Sequence, residues 1–194
     1  MKIAIVKYNA GNVASVQNAL ARIGVESTIS DEPEVLRQAH KVIFPGVGEA
    51  STAMKYLRER RLDQVIKSLT QPVFGICLGM QLLCSHSEEN DTECLGLLTS
   101  KVRRFVSGAL KVPHIGWNTI SGLNSPLFAG IASDSYVYFV HAYYVDLSED
   151  SAASCEYGVN FAAAIQRDNF YAVQFHPEKS GEIGERILKN FVNL

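Results

Sequence analysis

The chain carries no strong excess of charge of either sign. Lysine and arginine number 18, aspartate and glutamate 20, and the formal net charge is −2. That balance gives no electrostatic footing for nucleic acid or for an anionic membrane. No apolar run approaches the roughly 20 residues of a membrane span, and the start, Met1 to Val6, is too short and strand-like for a secretory signal. A cytoplasmic protein is expected. Cysteine is sparse, with Cys77, Cys84, Cys94 and Cys155 and no paired C-x-x-C. In a reducing compartment these are free thiols. Cys84, His86 and Cys94 lack the spacing of a zinc site, so no metal is expected. There is no P-loop, no repeat, no linker and no low-complexity tract, and no cofactor is expected. What remains is 194 residues, 47% hydrophobic, long enough for one globular domain over 1–194 with a sizeable core.

The first half alternates short apolar runs with helical patterns. Strands are expected at Lys2–Val6, Val25–Ile29, Val42–Phe44 and Val73–Ile76. Between them, Val13, Val16, Leu20 and Ile23 suit a helix ending near Gly24. A helical turn over Ser30–Gln38 has Pro33 near its start, and Met54–Leu57 with Leu62–Leu69 suits one broken or two short helices. Apolar runs without strict alternation suit a parallel sheet covered on both faces. From about Gly96 the pattern turns strand-rich: Val102–Val106, Ile115–Ile120, Tyr136–Val140, Ala152–Glu156, Phe161–Gln166 and Tyr171–Phe175. A last helix is expected over Gly181–Val192. The fold class is therefore α/β, a mostly parallel open sheet flanked by helices with a strand-rich second half.

The chemistry concentrates in two segments. Gly75-Ile76-Cys77-Leu78-Gly79-Met80-Gln81 puts a cysteine between glycines where a strand feeds a helix, the setting of a nucleophile elbow with an exposed thiol and free backbone N–H donors. A small buried cysteine between packing glycines fits the segment equally well when it stands alone. About 100 residues later, Tyr171 to Glu178 ends in His-Pro-Glu. Pro177 biases His176 toward an extended backbone, and residues two apart in an extended chain face one way. Glu178 then lies beside the His176 imidazole, fixing its tautomer for service to a thiol. Phe44-Pro45-Gly46-Val47-Gly48 follows a strand and offers a peptide able to approach a ligand closely, although βα turns are commonly rich in glycine and proline.

Together G-x-C-x-G-x-Q and H-P-E resemble the class I glutamine amidotransferases, whose flavodoxin-like fold agrees with the pattern above. The resemblance implies a catalytic triad of Cys77, His176 and Glu178 acting on L-glutamine. It implies an oxyanion site at Gly46, Val47, Gly48 and the backbone N–H of Leu78, and substrate contacts from Gln81, Glu89 and residue 142. Ala142 stands where the family carries serine or threonine, leaving only backbone there, and Lys7 stands where many members have an acidic or small residue. Cys84, Cys94 and Cys155 lack the elbow's glycines and are expected to pack.

Within that family, Pro113-His114-Ile115-Gly116-Trp117-Asn118 and Tyr138-Phe139-Val140-His141-Ala142-Tyr143 are similar to stretches of the glutaminase subunits of imidazole glycerol phosphate synthase. Tyr8-Asn9-Ala10-Gly11-Asn12 and His176-Pro177-Glu178-Lys179-Ser180 are similar as well. The resemblance implies a heterodimer with a cyclase subunit that consumes the ammonia, and a partner face including Asn12, Trp117, Asn118, Tyr138 and Lys179. Glutaminase subunits of anthranilate-type synthases and stand-alone cysteine γ-glutamyl hydrolases are the alternatives; the Trp-Asn stretch argues against the former.

Overall fold

A computed structural model describes residues 1–8, 11–106, 108 and 110–194 of the chain. Asn9 and Ala10 of the N-terminal loop singled out above lie outside these residues. In chain order the elements begin β1 (Ile3–Val6), α1 (Val13–Arg22), β2 (Ser27–Ser30), α2 (Pro33–Gln38), β3 (Lys41–Phe44), α3 (Ala50–Glu59), α4 (Leu62–Ser68), β4 (Val73–Ile76) and α5 (Leu78–Leu83). Then come β5 (His86–Ser87), β6 (Thr92–Glu93), β7 (Lys101–Arg104), β8 (His114–Ile120), β9 (Ser135–His141), β10 (Tyr143–Val145), β11 (Ser151–Tyr157), β12 (Val159–Arg167), β13 (Phe170–Val173) and α6 (Gly181–Val192).

The main sheet runs β2-β1-β3-β4-β13-β12-β10-β7-β5-β6, with β11 also on β12. From β2 to β13 every pair is parallel. The strands beyond β13 are antiparallel down to β7. The chain thus builds a parallel nucleus first and returns to complete it with β13, so β4 and β13 lie side by side in register, Ile76 against Val173. That pairing brings the elbow and the His-Pro-Glu segment together, because both leave the sheet at the carboxyl ends of adjacent strands, where open α/β sheets place ligand sites.

The parallel strands β1, β3 and β4 are buried at every position, and alternate residues divide between two faces. Ala4, Val6, Val42 and Phe44 join Leu36, Leu57, Leu62 and Ile66 in one cluster. Ile3, Ile5, Ile43 and Phe74 join Val16, Leu20, Ile187 and Phe191 in the other. β8 and β9 form a separate antiparallel pair whose inward residues Val137 and Phe139 extend the second cluster.

Several expected bounds shift. The strand expected over Val25–Ile29 begins at Ser27, because residues after α1 are taken up in ending the helix. Gly24 is left-handed at φ 78°, and the N–H of Val25 donates to Leu20 O at 3.0 Å. β13 stops at Val173, two residues short of Phe175, although Gln174 N–H still reaches Ala163 O on β12 at 2.8 Å. The strands β5, β6 and β10 were not anticipated; each is two or three residues long, too short to carry a period. Met54–Leu57 and Leu62–Leu69 resolve as two helices, joined through Arg61 at φ 56°.

Candidate functional site

The elbow forms where β4 meets α5. Cys77 adopts φ 53°, ψ −108°, a region in which a residue with a Cβ is strained by about 1–3 kcal/mol. Hydrogen bonds on both sides hold it there. Its N–H donates to Val173 O at 2.8 Å and its carbonyl accepts from Gln81 N–H at 3.2 Å. The flanking glycines let strand and helix close up. A Cβ on Gly79 would strike the Phe44 carbonyl, and one on Gly75 would sit 3.0 Å from Ala172 Cβ and 3.1 Å from Met80 N. The Cys77 thiol is nearly buried and lies 3.6 Å from Gln174 Nε2 and 3.9 Å from Val140 O.

His176 is buried, and Cys77 acts on its ring through hydrogen bonding and charge. On the opposite side Nδ1 donates to Glu178 Oε1 at 2.8 Å. The two side chains face one way for a reason other than strand alternation. Only His176 is extended, at φ −102°, ψ 96°, and Pro177–Lys179 coil into a single 3-10 turn that folds the carboxylate back under the ring. Burial alone pushes the imidazole's pKa down. Hydrogen bonds to Cys77 and Glu178, with their charges, more than reverse this and raise it to about 10. Burial likewise pushes the Glu178 carboxyl up, but the hydrogen bond and charge of His176, helped by Asn12, bring it below its ordinary value. His176 and Glu178 therefore form a stable imidazolium–carboxylate pair in a dry setting, each partner made affordable by the other.

Asn12, expected on a partner face, is instead buried against this pair. It occupies the N-cap position of α1 but makes no side-chain cap; its Nδ2 donates to Glu178 Oε1 at 3.1 Å. A buried amide takes the strongest acceptor in reach, here a carboxylate.

The oxyanion side departs from expectation in one respect. Leu78, expected to offer its N–H, gives it to Gly46 O at 3.2 Å. The loop is pinned in this position by Tyr8, whose buried hydroxyl donates to Pro45 O at 2.6 Å. Gly46 must lack a Cβ, which would collide with that hydroxyl and approach Leu78 Cβ to 2.9 Å. Val47 is partly buried and Gly48 exposed with φ 121°.

Gln81 is buried with both N–H donors engaged, on Tyr143 O at 2.9 Å and on Gln174 Oε1 at 2.9 Å. Gln174, which the sequence reading passed over, thus links Gln81 to the Cys77 sulfur; a lone amide inside the apolar run Ala172-Val173-Gln174-Phe175 was the available signal. Glu89 accepts the Ala50 N–H at 2.7 Å, so one of its oxygens serves the start of α3, and burial raises its pKa. Ala142 gives its carbonyl to Phe105 N–H at 3.1 Å.

Beside the elbow, β8 and β9 present an outward row of Ile115, Trp117, Tyr136 and Tyr138. Ile115 is 59% exposed, Trp117 54% and Tyr136 61%, and Trp117 packs edge-on against Tyr138 at 5.8 Å between ring centroids. Isolated exposed side chains are ordinary, but a contiguous aromatic row points to a docking surface. Ile115 and Tyr136 were not singled out in the sequence, although alternation along each strand would have found them. Asn118 is half-buried, donating to Glu156 O at 2.9 Å and accepting from Thr119 N–H at 2.8 Å; Lys179 is exposed. On the inner face, His114 Nδ1 and His141 Nε2 meet at 3.1 Å, and His141 Nδ1 donates to Tyr143 O at 2.7 Å. Burial lowers both, to about 4 for His114 and about 3 for His141, so the pair is neutral.

Among the described residues no group of three or more His, Cys, Asp or Glu is arranged to hold a metal, and no helix is long and apolar enough to cross a membrane. Cys84, Cys94 and Cys155 are buried free thiols; burial raises the pKa of each. An open groove of about 940 Å³ runs along the β2 edge past Lys2, Gln17, Glu26 and Gln38 and includes none of Cys77, His176 and Glu178. Strained backbone, a buried ion pair and a thiol coincide at the elbow, the kind of setting in which functional groups are found.

A sequence model of the family described as glutamine amidotransferase class-I matches residues 4–194. Subunit HisH of imidazole glycerol phosphate synthase from Bacteroides fragilis strain YCH46 is 59% identical, covering 100% of both chains. The subunit of the same name from Shewanella loihica is 46% identical, covering 98% of this chain and 89% of its own. Among solved structures, one described as glutamine amidotransferase superposes with a TM-score of 0.76 at 22% identity, covering 98% and 97% of the two chains. PurLQS from Thermotoga maritima gives 0.75 at 18%, covering 99% and 97%. At those identities the structural likeness speaks for the fold.

Proposed function

This chain belongs to the glutamine amidotransferase class-I family, and from that premise we propose that it is the glutaminase subunit of an imidazole glycerol phosphate synthase, acting through Cys77, His176 and Glu178. The whole of 1–194 serves as one amidotransferase domain. The observation that carries the reading is the buried imidazole held between a strained thiol and a carboxylate.

In the first half-reaction the Cys77 sulfur attacks the side-chain carbonyl carbon of L-glutamine. His176 passes its proton to the departing nitrogen, and ammonia leaves a glutamyl thioester. In the second, His176 takes a proton from water, the resulting hydroxide opens the thioester, and glutamate departs as the thiol re-forms. Glu178 keeps Nδ1 protonated and stabilises the imidazolium in both halves. Gln81, Glu89 and the backbone at Ala142 hold the substrate's amino-acid end. The Gly46–Gly48 loop and Leu78 N–H receive the oxyanion.

Ammonia protonates quickly in water, so it must be consumed close by. A cyclase subunit docked over Ile115, Trp117, Tyr136 and Tyr138, with Asn118 and Lys179 at the rim, would receive it and form imidazole glycerol phosphate and aminoimidazole carboxamide ribotide, within cytoplasmic histidine biosynthesis. The occupied Leu78 N–H supports dependence on that partner. While Gly46 O holds this donor, the oxyanion lacks it, and docking or acceptor binding has to swing the Gly46 carbonyl away.

The test is glutamate release by the chain alone, with the cyclase subunit, and with the cyclase subunit plus its phosphorylated ribulosyl substrate. Hydrolysis is expected to rise roughly 10- to 100-fold in the last case, the span of an ordinary coupling free energy. Equal rates in all three would overturn the partner assignment, and turnover of γ-glutamyl peptides by the chain alone would favour a stand-alone hydrolase.

A further inference from the structure

Ser180 precedes α6 at its N-cap position, where a serine ordinarily turns its oxygen onto the first-turn N–H groups of its own helix. It makes no such cap. The hydroxyl is buried and points the other way, donating to His176 O at 2.7 Å and accepting from Tyr138 N–H at 3.0 Å. His176 N–H in turn donates to Tyr138 O at 2.9 Å. These three bonds close a ring containing the main chain of Tyr138, the Ser180 side chain and the main chain of His176. The turn beneath is packed without slack, since a Cβ on Gly184 would strike the Pro177 carbonyl and come within 2.9 Å of Ser180 Cβ.

We infer that Ser180 is a positioning residue for the reaction: its hydroxyl locks the His176 backbone to β9, so that the imidazole is centred between Cys77 and Glu178. The inference rests on the triad reading above. Its physical basis is that removing this buried hydroxyl leaves the Tyr138 N–H unpaired and leaves His176 O only the Lys179 N–H at 3.0 Å. The segment between them then re-forms its hydrogen bonds by moving. A displacement of the order of 1 Å at a general base costs about 100-fold in rate. The same ring ties His176 to the strand that carries Tyr138 on the outward aromatic row, so a push on that row reaches the imidazole through main-chain bonds.

The experiment uses the reconstituted complex with the cyclase subunit and its acceptor. Functional sites are titrated by covalent labelling of Cys77 with a glutamine-derived diazo ketone, so that misfolded protein drops out of the rate. Ser180→Ala is expected to lower kcat for glutamine per titrated site by roughly 10- to 100-fold. KM for glutamine stays within about twofold, as expected where only transition-state geometry is lost, and synthesis from ammonium salt is unchanged. A per-site kcat within twofold of the unsubstituted enzyme overturns the inference, because a residue that only supports folding changes the number of sites and not their rate. Should Ser180→Ala fail to fold, Ser180→Cys, which keeps the size with a weaker hydrogen-bonding group, is read the same way: a depressed per-site kcat supports the role and an unchanged one overturns it. Cys77→Ala run in parallel separates the two claims. If it still hydrolyses glutamine the triad reading itself has failed, whereas inactivity of Cys77→Ala beside full activity of Ser180→Ala removes the positioning role alone.

Discussion

Replacing Cys77 with alanine is expected to reduce glutamine-dependent synthesis by at least about 10⁴-fold while synthesis from added ammonium salt continues at its original rate. The two halves of this result have separate causes. The thiol supplies the bond that holds the glutamyl group, and nothing else beside the elbow can take its place. Gln174 Nε2 and the Val140 carbonyl, at 3.6 Å and 3.9 Å from the sulfur, are not nucleophiles of comparable strength. Ammonium salt bypasses the site, because free ammonia reaches the acceptor without the glutaminase step. Alanine accepts the strained backbone at φ 53° no worse than cysteine does, and the bonds fixing that backbone run through Val173 and Gln81 main-chain atoms. The variant should therefore fold and bind its partner. Loss of both activities would mean that Cys77 supports assembly and not chemistry.

Glu178→Gln is expected to lower kcat for glutamine by roughly 10²- to 10⁴-fold and to move the alkaline limb of the pH profile toward neutrality. Both His176 Nδ1 and Asn12 Nδ2 donate to the same oxygen, Oε1, and a glutamine carbonyl can accept from both, so the geometry survives. The charge does not. The imidazolium reaches a pKa of about 10 against the downward pull of burial because Cys77 and Glu178 stabilise it. With the Glu178 contribution gone, the folded-state value falls, the proton is lost at lower pH, and activity that needs an imidazolium disappears from the alkaline side inward. A second consequence follows from the other carboxylate oxygen, which is buried with no partner among the described residues. The amide places a donor there, at a cost of about 1–3 kcal/mol if it stays unpaired. Unchanged pH limbs in a folded Glu178→Gln protein would show that the carboxylate does not sustain the imidazolium.

The sequence was most legible where one local rule decides. Glycines bracketing Cys77 at a strand–helix junction permit little besides a tight turn, and the elbow is there, with Cys77 at a positive φ. The helices ending at Gly24 and beginning at Pro33 follow their cap residues. The family resemblance paired His176 with Cys77, and both lie at carboxyl ends of strands. It did not suffice to say which strands are neighbours. β13 lands beside β4 only after about a hundred residues of intervening chain.

What stayed hidden are choices made by buried polar groups among several partners. Asn12 and Ser180 both stand at helix N-caps, and neither side chain caps its helix. Each turns instead toward the His-Pro-Glu turn, Asn12 to the Glu178 carboxylate and Ser180 to the His176 carbonyl, since a buried polar side chain needs a partner of its own. Leu78 is a similar case. Its N–H, expected to face an oxyanion, donates to the Gly46 carbonyl, and no pattern of residues reveals which way a glycine-flanked peptide is turned. His176 and Glu178 converge as expected, but through a 3-10 turn, since proline following an extended residue can begin a helical turn as readily as continue a strand.

The central claim is that the Cys77 sulfur, served by His176, is the atom that takes the glutamyl group. Its most direct test is mass spectrometry of the reconstituted complex quenched in acid during glutamine turnover. The account predicts a transient adduct of one glutamyl group on the peptide containing Cys77, which accumulates when His176 is replaced by a residue unable to activate water and yet the thiol still reacts. Steady release of glutamate with no adduct at Cys77, or with the adduct on another residue, would contradict it.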